Sequence, residues 1–317
     1  MRIIFVPQFP SEMRYQEWWF TEFPNQFRER GFDVVTLGED YSEMIKHRRS
    51  TLDMFSPIDM AIELEAEQIK EYINLELKED DVLFWADISF PGLFGHVLFH
   101  KRPKKMFAFC HATSINAFDY YAPLREFKYP IEKSICAIFD KIFVGSNYHK
   151  NKLGWNNIQV TYLPFQPELH TFKNVNKTID IMSASRPSVQ KVDPFFEDYV
   201  EEQLMVKIQR PVSNSWKEYH WNLHQAKVLL ISAKEDTFGY QIVDAIRCGC
   251  IPIAKNSFSY PELLPEAYLY DDRVRLIQKL DTILNIEPEN SIQVPKLLCE
   301  EQMNNFYATI CDEMRKE

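Results

Sequence analysis

Glycine is scarce in this chain, with eight residues among 317 against eighteen prolines. A dinucleotide fingerprint or a phosphate-cradling P-loop needs clustered glycines, and neither pattern occurs. No Asp-x-Asp pair occurs either, which removes a common carboxylate grip on a metal-bound diphosphate. The six cysteines lack paired metal spacing, and Cys248-x-Cys250 is too close for a usual zinc clip, so reduced thiols and no structural metal are expected. No apolar run approaches the roughly 18 residues of a membrane span. The opening Met1-Arg2-Ile3-Ile4-Phe5-Val6 reads as a strand, too short for a signal peptide, and a cytoplasmic protein without an integral membrane segment is expected. The net charge of -10 argues against broad attraction to nucleic acid or anionic lipid, leaving room only for a local basic groove.

What is present is a globular composition, 45% hydrophobic and 14% aromatic, in a chain long enough for about two domains with proper cores. The most informative stretch is Lys234-Glu235-Asp236-Thr237-Phe238-Gly239-Tyr240-Gln241-Ile242-Val243-Asp244-Ala245-Ile246-Arg247-Cys248-Gly249-Cys250-Ile251-Pro252-Ile253-Ala254. The apolar Val228 to Ile231 before it reads as a buried strand. Asp236 or Thr237 is a fair N-cap, Ile242, Ala245 and Ile246 recur at helical spacing, Gly249 closes the helix, and Ile251 to Ala254 is the next strand. Such a unit aims backbone N–H groups of Phe238, Gly239 and Tyr240, and the positive end of a helix dipole, at an anion. Asp244 lies about one and a half turns further along, where its carboxylate reaches sugar hydroxyls, while Asp236 stands at the mouth. The plain alternative is a buried helix whose aspartates cap and solvate.

This stretch resembles the signature of the retaining nucleotide-sugar glycosyltransferases of family four, which have the GT-B fold. There an acid is followed by Gly or Thr, then Phe-Gly, a second acid eight positions after the first, Ala, a small-Gly turn and a Pro-containing strand. Asp236-Thr237-Phe238-Gly239 and Asp244-Ala245 match that frame, with Asp in both places where the family usually carries the longer Glu. Glu235 is an alternative for the first acid. The resemblance implies an α/β GT-B chain, two Rossmann-like domains facing across a cleft with a C-terminal helix crossing back. It implies a nucleoside diphosphate sugar as co-substrate, with no cofactor or metal. The missing Asp-x-Asp agrees, since it weakens a metal-dependent GT-A alternative.

In the first part of the chain, strands at Arg2 to Val6, Phe32 to Leu37, Val82 to Trp85, Lys105 to Cys110 and Phe139 to Val144 alternate with helices at Tyr15 to Arg30, Ile58 to Leu77 and Phe90 to His100, the pattern of a parallel sheet. Tyr15, Trp18 and Trp19 sit where the first strand opens, the usual ligand edge; they either stack on an acceptor or pack the core. Asp87 ends the third strand. The polar run His111 to Asp119 leaves the fourth and faces the expected cleft. The resemblance makes His111 a contact of the transferred sugar, with Asn116 and Asp119 on the acceptor side; tethering of the loop is the alternative. Lys46-His47-Arg48-Arg49 reads as a solvated loop.

Pro164 to Lys177 is the best boundary. The expected divisions are 1–165 for the acceptor, 166–294 for the donor, and 295–317, with Pro295 to Arg315 as one crossover helix. Ser185 to Lys191 leaves the first strand of the second sheet, and Arg186 with Lys191 resembles the family's diphosphate-binding pair. Arg186 would fork two phosphate oxygens and Lys191 would add a point charge. The expected activity is therefore transfer of a hexosyl or pentosyl group to a hydroxyl acceptor, a glycan or small molecule, with retention implied by the resemblance alone. Rival readings are glycosylation of a modified base in DNA, a non-catalytic nucleotide-sugar module, and a GT-B epimerase or phosphorylase.

Overall fold

The computed structural model describes residues 1–11, 13–40, 56–88, 102–118, 122–183, 194–285 and 293–316. Arg186, Lys191 and Asp119, the expected helix Phe90 to His100 and the Lys46 to Arg49 run lie outside the described residues.

Two parallel sheets organise the chain. The first holds β1 (Arg2–Val6), β2 (Asp33–Thr36), β3 (Val82–Trp85), β4 (Lys105–Cys110), β5 (Lys141–Val144) and β6 (Ile158–Val160), in the order β2-β1-β3-β4-β5-β6. Its helices are α1 (Tyr15–Glu29), α2 (Ser56–Asn74), α3 (Arg125–Cys136) and α4 (Asn147–Leu153). The second holds β7 (Ile179–Met182), β8 (Ile208–Gln209), β9 (Ala226–Ile231), β10 (Ile251–Lys255) and β11 (Leu269–Tyr270), in the order β11-β10-β9-β7-β8. Around it lie α5 (Pro194–Leu204), α6 (Trp216–Gln225), α7 (Tyr240–Arg247), α8 (Tyr260–Leu263) and α9 (Arg273–Asn285). The chain ends in α10 (Glu300–Asn304) and α11 (Phe306–Arg315).

The strands are near-continuous apolar runs because helices cover both faces of each sheet. Ile3 faces Val82 and Phe5 faces Phe84 in register. Helix α1 buries Trp19, Phe23 and Phe27, four residues apart, as one stripe on that sheet. Helix α11 returns to the same place: Phe306 meets Phe23 with ring centroids 5.7 Å apart, and Arg315 Nη2 donates to Arg30 O at 2.8 Å. One buried cluster therefore runs from Phe5 and Trp19 through Phe306 to Phe238 and Tyr260, joining both sheets. The C-terminal crossing is present, but it is two helices, not the single helix expected over Pro295 to Arg315. Asn305 breaks it, with φ -89° and ψ 4°. Helix α3 has no counterpart in the sequence expectation, since Pro130 sits inside it and its outward face mixes charges with apolar residues.

Strand order locates the ligand edges. In an open parallel sheet the crevice lies at the C-terminal ends of the strands where the winding direction reverses. In the first sheet that point falls between β1 and β3, and in the second between β7 and β9.

Candidate functional site

The loop leaving β9 carries the signature, and β7 is its parallel neighbour. One buried carboxylate ties these two strand ends together. Glu197 of α5 accepts from Ser183 Oγ after β7 at 2.8 Å, from Ser232 Oγ after β9 and from Arg210 Nε at 2.7 Å. The turn into α7 is fixed next. Asp236 Oδ1 accepts from the Phe238 amide at 3.2 Å, so that expected anion donor is already engaged by the acid preceding it. Ser259, fully buried, donates to Phe238 O at 2.7 Å. Gly239 takes φ +102°, and a Cβ there would stand 3.2 Å from a Tyr260 ring carbon and 3.3 Å from Leu263 Cδ1. Both backbone conformation and space therefore require glycine.

Asp244 lies inside this helix at 6% exposure and accepts from Tyr219 OH at 3.3 Å. Burial pushes its carboxyl up to about 7, against the opposing pull of Arg247 and the Tyr219 hydrogen bond. Arg247 itself donates to Gln166 O at 2.9 Å and lies 5.3 Å from the Phe165 ring centroid, which pins the connection between the sheets to α7. Asp236 and Thr237 are both half-buried.

Across the interface stands His111, at the C-terminal end of β4. Its ring stacks on Tyr15 at 4.1 Å and packs against Trp19 at 4.5 Å and Phe109 at 4.6 Å. Burial, with His149 nearby, holds its pKa well below the usual imidazole range, so the ring is neutral; its buried Nε2 has no hydrogen-bond partner among the described residues. Beside it, at the switch point of the first sheet, Asp87 accepts from Gln8 Nε2 at 2.5 Å and from the His111 amide at the long limit of 3.5 Å. Gln8 was expected only as the start of the loop at the open end of β1, with no role of its own, and Asp87 only as a strand end; their positions after β1 and β3 were the available signal. Tyr15 and Trp18 meet Tyr240 at 6.1 Å each, so the start of α1 touches the start of α7.

Two of the expected acceptor residues are buried, which fits the alternative readings, core packing and loop tethering. Trp19 is 1% exposed, enclosed by Phe23, Phe109 and Phe306, and serves the core. Asn116 is 3% exposed: its Nδ2 donates to Glu235 Oε1 at 2.8 Å and its Oδ1 accepts from the Thr113 amide at 3.0 Å. Among the described residues no group of three or more His, Cys, Asp or Glu could hold a metal ion, and no helix is long and apolar enough to cross a membrane.

No protein-family model matches the chain. A sucrose-phosphate synthase from Thermosynechococcus elongatus superposes on it with a TM-score of 0.65 at 13% identity, covering 99% of this chain and 97% of that one. The structure of OtsA gives 0.65 at 11% identity over 100% of both chains. This chain has the GT-B fold. The GT-B galactosyltransferase WaaB of the lipopolysaccharide outer core agrees, at 0.61 and 13% identity over 99% of both chains. In sequence, 93 residues are 32% identical to the tRNA-queuosine alpha-mannosyltransferase of Drosophila melanogaster, a match to 29% of this chain and 24% of that enzyme.

Proposed function

We propose that this GT-B chain is a glycosyltransferase that moves a sugar from a nucleoside diphosphate sugar to a hydroxyl acceptor, with retention of configuration. The observation that carries the reading is the Gly239-to-Asp244 helix start at the switch point of the second sheet, linked to the neutral imidazole of His111 in the first through Tyr15, whose ring stacks on both His111 and Tyr240. Residues 1–165 hold the acceptor, 166–294 the donor and 295–317 make the crossing, in a cytoplasmic setting suited to six free cysteines.

The chemistry follows from the charges. Arg186, Lys191 and the α7 N-terminus carry the negative charge that grows on the diphosphate, so no metal is required. Asp244 accepts from the ribose hydroxyls, and Asp236 from hydroxyls of the transferred sugar. The bond from the anomeric carbon to the β-phosphate oxygen breaks as the acceptor oxygen bonds that carbon from the same face. The acceptor's proton passes to the departing phosphate oxygen. His111 supplies one neutral hydrogen-bonding nitrogen to the sugar, while Tyr15 and Trp18 offer ring surface to the acceptor.

The test is release of nucleoside diphosphate from UDP-, GDP- and ADP-sugars in excess EDTA, with glycan, small-molecule and tRNA acceptors. Turnover of one donor, lost in Arg186→Ala, supports the reading; no turnover of any donor contradicts it. Transfer to tRNA would favour a second reading, motivated by the 93-residue mannosyltransferase match, in which the acceptor hydroxyl belongs to a modified nucleoside. His111→Phe keeps the ring packing and removes the free nitrogen. It is expected to lower turnover about 10- to 100-fold with nucleotide affinity unchanged, which single-turnover kinetics and nucleotide titration together would check.

A further inference from the structure

The interface between the two domains is closed by carboxylates of the second. Glu235 is 5% exposed, and its donors come from two separate pieces of the first domain. From the loop after β4, Asn116 Nδ2 donates at 2.8 Å and the Ala117 amide at 3.0 Å. From α4, Tyr148 OH donates at 3.0 Å and Lys152 Nζ forms an ion pair. Glu262 grips the other end of α4, accepting from the Asn147 and Tyr148 amides at 2.8 Å each. Ser146 Oγ donates to Thr237 O, within the signature itself. Next to Glu235, Lys234 Nζ lies 5.8 Å from the Phe118 ring centroid.

A buried carboxylate must be paired and hydrogen-bonded or it neutralises. Burial raises the pKa of Glu235, but Lys152, Asn116 and Tyr148 outweigh that and hold it below the usual carboxylate value, so the group is charged at neutral pH. Its neighbour in the chain is Asp236, while Asn116 and Ala117 sit five and six residues beyond His111 in one loop. Fixing this one side chain therefore fixes the distance between the two halves of the site.

We propose that Glu235 is a positioning residue, which holds the His111 loop in register with the donor signature. The inference rests on the glycosyltransferase reading. Glu235 itself touches neither donor nor acceptor; it sets the geometry in which Asp236 and His111 act. Misplacement of reacting groups by about 1 Å costs on the order of 100-fold in rate.

The test uses Glu235→Gln in the full chain. It keeps the volume and one acceptor oxygen but puts an amide donor in place of the other, against the Ala117 amide if it replaces Oε2, or against Asn116 Nδ2, Tyr148 OH and Lys152 if it replaces Oε1. Donor turnover is expected to fall about 10- to 100-fold, while UDP and GDP affinities stay within about threefold because their contacts lie in the second domain. Hydrogen exchange should rise at least about tenfold across 113–118 and 146–152, with the strands of both sheets unchanged. Asn116→Ala, which leaves the ion pair intact, should give a smaller change of the same kind. Unchanged exchange in those segments, or affinity and turnover falling in proportion, overturns the proposal. A wild type that turns over no nucleotide sugar overturns the glycosyltransferase reading instead, and the exchange arm still decides whether Glu235 holds the loop.

Discussion

Asp244→Asn raises the melting temperature at pH 8 by about 5–8 °C, and by progressively less as the pH falls, until the gain vanishes near pH 4. Burial raises the folded carboxyl to about 7, from 3.8 for an ordinary aspartate. A folded pKa raised above the unfolded one contributes stability that is complete below the unfolded value and is lost as pH rises through the folded one. Between about pH 4 and 7 the native protein must therefore keep a proton that the unfolded chain releases, and above 7 it buries a charge. A shift of this size corresponds to roughly 4 kcal/mol at alkaline pH. Asparagine mimics the protonated acid, keeps an acceptor for Tyr219 OH and removes the penalty. Thermal melts of both proteins across that range check it, and a gain independent of pH would contradict it. Such a cost, retained inside a helix that would be more stable without it, is what a carboxylate kept for ligand binding looks like.

Gly239→Ala destabilises the second domain by about 3 kcal/mol and weakens nucleotide binding at least tenfold. The side chain would need φ +102° and would press on Tyr260 and Leu263, both fully buried and unable to yield. Any relief must shift the first turn of α7, where the proposed diphosphate donors sit. Gly154, at the end of α4, is the control. Its φ is +65° and nothing lies within 4 Å of an added Cβ, so Gly154→Ala should cost only about 1–2 kcal/mol and leave nucleotide binding intact. Denaturant melts with nucleotide titration separate the two, and equal losses in both variants would contradict the account.

The strand-turn-helix at Asp236 to Asp244 was legible because its information is local: apolar runs, a glycine at the turn and acids at fixed spacing. The alternation of strands and helices was equally local, and it yielded both parallel sheets. What the sequence hid depends on contacts far along the chain. Glu235 looked like a spare acid beside Asp236, and its partner Asn116 lies 119 residues away. Trp18 and Trp19 are neighbours in sequence, but helical geometry turns Trp19 into the core and leaves Trp18 against Tyr240. Helix α3 went unseen because a proline inside it masks a periodicity that tertiary contacts restore. The C-terminal helix was read as continuous because Asn305, which interrupts it, is an ordinary helix residue by propensity.

The most direct test of the donor site is calorimetric titration of UDP, GDP and ADP into wild type, Arg186→Ala and Asp244→Asn, at pH 6, 7 and 8. One nucleotide should bind. Its affinity for wild type should rise up to about tenfold from pH 6 to 8, because ligand hydroxyls favour the ionised form of Asp244. That rise should be absent in Asp244→Asn, and binding should be lost or reduced at least tenfold in Arg186→Ala. Binding of none of the three nucleotides to wild type, or equal affinity in all three proteins, would contradict a nucleotide-sugar site at this helix.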